Sequence, residues 1–285
     1  MKDKEIKILL VISIISISFS SILTRMSASS PLLIAFYRMA LSSSLIFPFL
    51  FIKKIKIERK EILLSMLVGI ILALHFITWI TSLSYTSIAS SVILVTSHPF
   101  FVSIVSFLLF KEKLHRKSIF GIILAFSGII ILFSSDYFYL PKTFKGDLLA
   151  FLGGIFAGTY IIGGRKIRQK AGIFEYNFIV YGTSSIFLLL LCLLFKINLK
   201  VSSKEFTIFL LMAIFPTLLG HFLFTFCIKY VKAAVISVSF LGEPIGSSIL
   251  ATILFREVPG IFSMVGGVII LFGIYLVASS EVKNI

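Results

Sequence analysis

The chain has 285 residues, of which 58% are hydrophobic and only 14% are charged, and its mean hydropathy is +1.10. Soluble domains carry roughly 25% charged residues, so this composition excludes a water-soluble globular protein and indicates a chain that is surrounded by lipid. The formal net charge is +15, but the 27 Lys and Arg residues stand in short clusters between apolar runs. That distribution is typical of an oriented membrane protein, so we expect the lipid bilayer and not nucleic acid as the partner.

Ten apolar runs are long enough to be membrane helices, which need about 20 residues each. The predicted spans are 8–24, 31–52, 61–83, 87–110, 118–134, 147–164, 175–195, 205–227, 233–255 and 261–279. The first run follows three lysines and so resembles a signal peptide, but it has nearly the length of a full span and many similar runs follow it. We therefore predict an all-α integral membrane protein with ten transmembrane helices.

The second half of the chain repeats the first at an offset of 145 residues. The repeated positions are Tyr85, Ala89, Pro99, Phe110-Lys111-Glu112, Gly121, Gly128 and Ser134-Ser135, which return as Tyr230, Ala234, Pro244, Phe255-Arg256-Glu257, Gly266, Gly273 and Ser279-Ser280. Upstream, His75-Phe76 returns as His221-Phe222 with one residue of slippage. This echo indicates an internal duplication, with one five-helix repeat at 1–140 and the second at 141–285.

Five spans per repeat is an odd number, so the second repeat is predicted to cross the membrane with the opposite orientation. Inverted repeats are typical of secondary transporters, because two equivalent halves can exchange conformations. If the N-terminus is cytoplasmic, 19 Lys and Arg residues lie in inner segments and 7 in outer ones. The positive-inside rule then places both termini in the cytoplasm of a multi-pass protein of the cell membrane.

A proline, then Phe-Lys-Glu or Phe-Arg-Glu, then Gly-x6-Gly occurs twice in this ten-span chain. This pattern resembles the drug/metabolite transporter superfamily and, within it, the bacterial permeases of the EamA type. The segment from Pro31 to Tyr37-Arg38 fits the same family. The resemblance implies an alternating-access carrier whose central cavity is lined by spans 1, 3, 4, 6, 8 and 9. Family members export amino acids and other metabolites, and relatives carry nucleotide sugars, sugar phosphates or S-adenosylmethionine.

Two titratable residues are predicted to lie near the middle of the membrane, one in each repeat. Glu243 is ten residues into span 9, about 15 Å deep at 1.5 Å per residue, and His98 occupies the matching position in span 4. Buried titratable groups in a bilayer are costly, so a role in the cavity is the first hypothesis for both. The alternative for Glu243 is a structural partner for Arg38 or His98. Pro99 and Pro244 follow directly and predict helix breaks at the cavity.

Other polar and aromatic residues at depth complete the predicted lining of the cavity. The full predicted set is His75, Trp79, His98, Tyr160, His221 and Glu243. His75 and Trp79 are four residues apart and so share a helix face, but a histidine within a span is often only a hydrogen bond between helices. Arg38 lies in span 2 and either locks helices together or binds an anionic group of the substrate.

Two further patterns have structural interpretations. Glu112 and Glu257 lie at span ends beside Lys111 and Arg256, where a salt bridge or a helix-end contact is expected. Small residues share one face of span 5 (Gly121-x3-Ala125) and of span 10 (Gly266-x3-Ile270), which allows close helix packing.

The function predicted from these features is a secondary transporter for a small organic metabolite, most simply the export of an amino acid or a derivative. Uptake of a nucleotide-type metabolite such as S-adenosylmethionine is an alternative, and a non-transporting scaffold or a channel is the alternative from another class. No enzyme motif, cofactor or metal site is predicted, and a monomer is left open. A midplane Glu243 fits proton coupling, but the first repeat has a histidine there, which favours uncoupled transport.

Overall fold

The computed structural model describes residues 3–51, 58–98, 101, 116–139, 141–230, 240 and 242–282. Within these ranges all regular structure is helical. The helical segments are α1 Asp3–Met26, α2 Pro31–Ile46, α3 Arg59–Ser82, α4 Ile88–Val95, α5 Arg116–Tyr139, α6 Pro141–Arg168, α7 Ile173–Leu194, α8 Ser203–Cys227, α9 Gly242–Phe255 and α10 Ile261–Val282. The prediction of an all-α membrane protein is thereby confirmed.

Six of the described helices, α1, α2, α3, α6, α7 and α8, are long and apolar enough to cross a membrane. The apolar parts of α5, α9 and α10 are shorter. Each segment lies inside or close to one predicted span. Parts of predicted spans 4 and 9 lie outside the described residues, as do Pro99 and Glu112, so the number of ten spans stays a prediction.

Serine residues set the starts of three helices. The side chain of Ser30 accepts a hydrogen bond from the backbone N–H of Leu33 at the start of α2, and Ser87 and Ser202 cap α4 and α8 in the same way. Such caps satisfy N–H groups that have no partner within the helix. Pro31 follows its cap as the first residue of α2, where a missing N–H leaves no helical hydrogen bond unmade.

Helix α8 is irregular in its middle. Residues Ala213–Phe222 form a π-helical segment that contains Pro216. Proline has no N–H to donate, so the regular α-helical ladder cannot continue through this position. The hydroxyl of Thr217 donates instead to the carbonyl of Met212, five residues earlier, at 2.9 Å. The wider turns alter the direction in which the side chains of α8 project toward α1 and α2.

The two halves of the chain pack against each other through matching helix pairs. Helix α5 packs along α10, and α2 packs along α7. Helix α3 packs on α6, and its echo is the contact of α8 with α1. Helix α4 likewise packs on α6, and its echo is the contact of α9 with α1. The helices of one half thus contact the other half in the pattern that the 145-residue echo predicts.

The backbones of α5 and α10 touch at their glycines. A Cβ atom on Gly128 would lie 2.8 Å from the carbonyl oxygen of Gly266 and 2.9 Å from the backbone nitrogen of Ile270. A Cβ atom on Gly273 would lie 2.6 Å from the carbonyl oxygen of Gly121. Neither site has room for a larger side chain, so the predicted close packing of these two helices is confirmed.

Candidate functional site

One cavity lies between the two halves of the molecule. Its free volume is about 50 Å³, which is room for several water molecules but less than the usual volume of a drug-sized pocket. All six side chains of the predicted lining lie around it: His75, Trp79, His98, Tyr160, His221 and Glu243. Five of the six are almost fully buried, and His221 is partly buried. The structure brings these residues together, and their role toward a substrate stays a prediction.

Helix α3 forms an aromatic wall of this cavity. His75 and Trp79 are one turn apart, and their rings are parallel with centroids 6.1 Å apart. The Nδ1 atom of His75 lies 2.9 Å from the carbonyl oxygen of Gly153. A carbonyl only accepts, so Nδ1 carries the hydrogen and, in the neutral ring, Nε2 is left as an acceptor. The indole N–H of Trp79 is buried and has no hydrogen-bond partner in the part of the chain that the structure describes.

His221 of α8 lies opposite this wall. Its ring lies edge-on to the rings of His75 and Phe76, with ring centroids 6.5 Å and 5.8 Å away, respectively. His75 and His221 are partners in the sequence echo, so the cavity brings together equivalent positions of the two halves.

A second pair of equivalent positions, His98 and Glu243, lies at the cavity near the end of α4 and the start of α9. Helix α4 ends at Val95 and the chain turns before His98, while α9 begins at Gly242, just after a turn at Phe240. The ring of His98 meets the ring of Phe240 edge-on, with centroids 4.8 Å apart. The backbone N–H of Glu243 donates to the carbonyl of Phe240 at 3.1 Å. His98 and Glu243 therefore lie close to a common aromatic residue at the cavity.

The predicted helix break near the second proline takes a particular form. Pro244 lies in the first turn of α9, where proline is well tolerated, and the irregular backbone precedes it. In the first half the turn also comes ahead of the proline position, at Thr96 and Ser97.

Three residues that sequence reasoning missed also line the cavity on the side of α7 and α8. The hydroxyl of Thr225 donates to the carbonyl of His221 at 2.8 Å, so the hydroxyl of Tyr160 donates to Thr225 at 3.1 Å. The hydroxyl of Tyr176 is buried and has no partner. Phe224 stacks on Phe240 at 4.2 Å. Tyr176 and Thr225 lie near predicted span ends, and Phe224 is one of 31 phenylalanines, so no sequence signal distinguished them.

Arg38 lies behind the cavity wall and is fully buried. Its Nε atom donates to the hydroxyl of Thr217 at 2.8 Å, and Nη1 donates to the hydroxyl of Ser20 at 2.7 Å. The guanidinium also lies 4.3 Å from the ring centre of Phe76. These contacts join α1, α2, α3 and α8, which fits the helix-locking alternative for Arg38. Ser20, and not Arg38, reaches the cavity.

A network of polar contacts joins the loops at the end of the molecule where α1 terminates. Arg25 lies 3.5 Å from Glu257 and donates to the carbonyl of Thr86 at 3.0 Å. Glu257 accepts in turn from the backbone N–H of Ile88. The salt bridge predicted for Glu257 is therefore present, but its partner is Arg25 of the other half.

Two more contacts belong to the same end. The hydroxyl of Thr86 donates to Asp147 at 2.6 Å. Glu205 accepts from the hydroxyls of Ser27 and Ser29 and from the backbone N–H of Ala28. We call Arg25, Thr86, Asp147, Glu205 and Glu257 the polar loop network. Its contacts join loops and helix ends of the first half to loops and helix ends of the second.

A polar, aromatic cavity between two packed halves of an all-helical membrane protein is the architecture of a membrane transporter or channel. The sequence profile of the EamA-like transporter family matches residues 6–134 and again residues 144–279, and the chain belongs to that family. The predicted membership is confirmed, and members of the family are transporters rather than enzymes.

Individual proteins agree with this assignment. The chain is 24% identical to an uncharacterized transporter of Archaeoglobus fulgidus, over 93% of each chain. It is 23% identical to the uncharacterized transporter YyaM of Bacillus subtilis, over 79% of this chain and 75% of the relative. A solved crystal structure superimposes over 100% of both chains with a TM-score of 0.72 at 13% identity, which shows a shared fold.

Proposed function

We propose that this protein is a secondary transporter that carries a small organic metabolite, an amino acid or a derivative, out of the cell by alternating access. The observation that carries the proposal is the pairing of equivalent positions across the cavity. His75 faces His221, and His98 and Glu243 lie at matching helix ends. A binding site that lies between two equivalent halves can be opened to one side of the membrane by one half and to the other side by the other half.

The proposal includes two five-helix repeats of opposite orientation, divided near residue 140. The family profile matches each half separately, and the helix pairs between the halves follow the sequence echo. These observations support a duplication, and the odd number of predicted spans per repeat supports the inversion.

The proposed orientation has both termini in the cytoplasm, as the distribution of Lys and Arg predicts. The end where α1 terminates then faces outward, and the polar loop network closes the outer side. The bond between Arg25 and Glu257 joins the two halves there, so opening to the outside requires this contact to break.

The buried polar atoms of the cavity argue against a scaffold without a ligand. The indole N–H of Trp79, Nδ1 of His98 and the hydroxyl of Tyr176 have no hydrogen-bond partner among the described residues. A buried polar group costs a protein about 1–3 kcal/mol when nothing bonds to it, and these three groups lie at a cavity where a molecule that enters can bond to them. A scaffold gains nothing from them, whereas a carrier needs groups that its cargo completes. We propose uncoupled transport down the gradient of the cargo, and rank uptake of a nucleotide-type cargo lower because the cavity is narrow.

The test is counterflow in vesicles that contain the purified protein. Vesicles loaded with an unlabelled amino acid should accumulate the labelled form from outside, with saturation, because a carrier exchanges cargo across the membrane. Ala157→Phe adds a ring inside the cavity and should lower the exchange at least tenfold. Ile123→Phe adds a comparable ring on the exposed face of α5 and should leave it unchanged.

Two results would contradict the proposal. Absence of saturable exchange for every amino acid and amine tested would leave the scaffold alternative ahead. Undiminished exchange by a folded Ala157→Phe protein would show that the cavity is not the transport route.

A further inference from the structure

We infer that the cavity selects its cargo through a protonated amine carried on a compact aromatic or apolar body. This inference rests on the proposed transport function and narrows its substrate class. A cargo whose only charge is anionic, such as a carboxylate or a phosphate ester, is excluded.

The described cavity wall carries a negatively charged group and no positively charged one. Among the described residues that line the cavity, Glu243 is the only carboxylate, and no Lys or Arg is present. The nearest described guanidinium, that of Arg38, stands behind Ser20 and does not line the cavity. Its Nη1 and Nε atoms bond to Ser20 and Thr217 and it lies over the ring of Phe76, while its Nη2 atom has no hydrogen-bond partner among the described residues. An anionic group in the cavity would therefore find no cation to contact, whereas an ammonium group would find a carboxylate.

The hydrogen-bonding groups of the wall also suit an ammonium donor. The bond from Nδ1 of His75 to the carbonyl of Gly153 leaves Nε2 as an acceptor. Glu243 is largely buried, and no described residue forms a hydrogen bond with its side-chain oxygens, which are therefore available to a cargo. An ammonium group has N–H donors and no acceptor, which matches these two acceptors.

The remainder of the wall is aromatic. The rings of Trp79, Tyr160, Tyr176, Phe224 and Phe240 line the cavity. Aromatic faces attract cations, and the attraction grows when water is excluded. The same rings can stack on a flat cargo. The free volume of about 50 Å³ is smaller than the roughly 150 Å³ of a cavity that holds benzene, so the cavity must widen even for a single ring and would have to widen far more for a nucleotide.

The neutral hydrogen-bond donors of the cavity wall predict an order of affinity among amines, amino acids and acids. The indole N–H of Trp79 and the hydroxyl of Tyr176 are unpartnered and can bond to a cargo carboxylate. Without a cation they stabilise a carboxylate less than water does, so desolvation outweighs the bonds they form. An amine should thus bind more tightly than the matching amino acid, and the matching acid should not bind.

The intrinsic fluorescence of the protein can be used to test this inference. Trp79 is the only tryptophan in the sequence and lines the cavity, so tryptophan fluorescence of the purified protein reports events there. The probes are phenethylamine, phenylalanine and 3-phenylpropionate, which share a ring and differ in their charged groups. We expect saturable fluorescence changes with phenethylamine at concentrations at least tenfold lower than with phenylalanine, and none with 3-phenylpropionate.

Variants locate the interaction. Glu243→Gln keeps the size of the side chain and removes its charge, so the dissociation constant for phenethylamine should rise at least tenfold. Glu58→Gln removes a carboxylate at an exposed position and should leave binding unchanged. Reaction of buried Cys192 and Cys227 with a thiol dye during heating shows whether each variant is folded.

The inference is overturned if phenylalanine or 3-phenylpropionate binds as tightly as phenethylamine to the parent protein, a comparison that needs no variant. It is also overturned if folded Glu243→Gln binds phenethylamine unchanged. Counterflow separates the two proposals. Amine binding without exchange of any amine or amino acid contradicts transport alone, and amino-acid exchange without amine binding contradicts amine selection alone.

Discussion

The polar loop network and the cavity treat polar side chains in opposite ways. In the network, at a partly exposed end of the molecule, Arg25 reaches Glu257 and Thr86, and Glu205 accepts three hydrogen bonds. In the buried cavity, Trp79 and Tyr176 each have a polar atom with no hydrogen-bond partner among the described residues. The first region stabilises one arrangement of the two halves. The second region contributes less to stability, and its unpaired atoms can bond to a molecule that enters the cavity.

This contrast predicts whether a substitution raises or lowers the stability of the folded protein. Removing a partnered group from the loop network leaves its partner unsatisfied and should destabilise the protein. Removing an unpartnered group from the cavity should not. Unfolding can be followed in detergent with a thiol dye, because the two cysteines, Cys192 and Cys227, are both buried until the protein unfolds.

Arg25→Ala should have the largest effect. It removes a partly exposed ion pair with Glu257, which solvent screening weakens, and the charged hydrogen bond to the carbonyl of Thr86, so we expect a loss of about 1–2 kcal/mol in the free energy of unfolding. The measurement is the midpoint of thermal unfolding, which should fall by several degrees. Lys200→Ala removes a cation from an exposed loop position and serves as the control. Equal midpoints for the two variants would show that the network contributes nothing to stability.

Thr86→Val should have a smaller effect, because it keeps the shape of the side chain and removes one hydrogen bond to Asp147. We expect a loss of about 1 kcal/mol in the free energy of unfolding. Thr159→Val, at an exposed position of α6 where the hydroxyl bonds only within its own helix, should change the unfolding midpoint less. The reverse order would place the stabilising contacts inside helices instead of between loops.

Tyr176→Phe should have the smallest effect on stability and the opposite sign. It deletes a buried hydroxyl without a partner, so the unfolding midpoint should stay level or rise. Tyr37→Phe is the matched control, because that hydroxyl donates to the carbonyl of Leu199 at 2.7 Å and its removal should lower the midpoint. A clear loss of stability in Tyr176→Phe would mean that the hydroxyl is bonded in the protein and that the contrast between the regions is false there.

Hydrophobic runs predicted the positions of the helices well, because length and apolarity are what a bilayer requires of a helix. The echo matched His75 with His221 and His98 with Glu243 as equivalent positions in the sequence. It did not predict that the rings of His75 and His221 contact each other, because an inverted second repeat was expected to put these two residues in opposite halves of the membrane; the structure brings both to one cavity.

Contacts between loops could not be predicted in this way. Glu257 has Arg256 beside it in the sequence, yet its ion pair is with Arg25. Proximity in the sequence says little when helix packing brings distant loop ends together. The π-helical segment of α8 was missed as well, because Pro216 in an apolar run predicts an irregularity without specifying its form. Tyr176 was missed because depth was judged from span ends, and α6 and α7 continue past the predicted limits.

The touching glycines of α5 and α10 limit how the two halves can move against each other. A Cβ atom on Gly128 or Gly273 would overlap backbone atoms of the facing helix, so these helices have no gap to close and separate only by opening a void. The same holds between α3 and α7, where a Cβ atom on Gly69 would lie 2.7 Å from the carbonyl oxygen of Val180. Relative motion of the halves at these two seams is therefore restricted to one backbone sliding or rolling on the other.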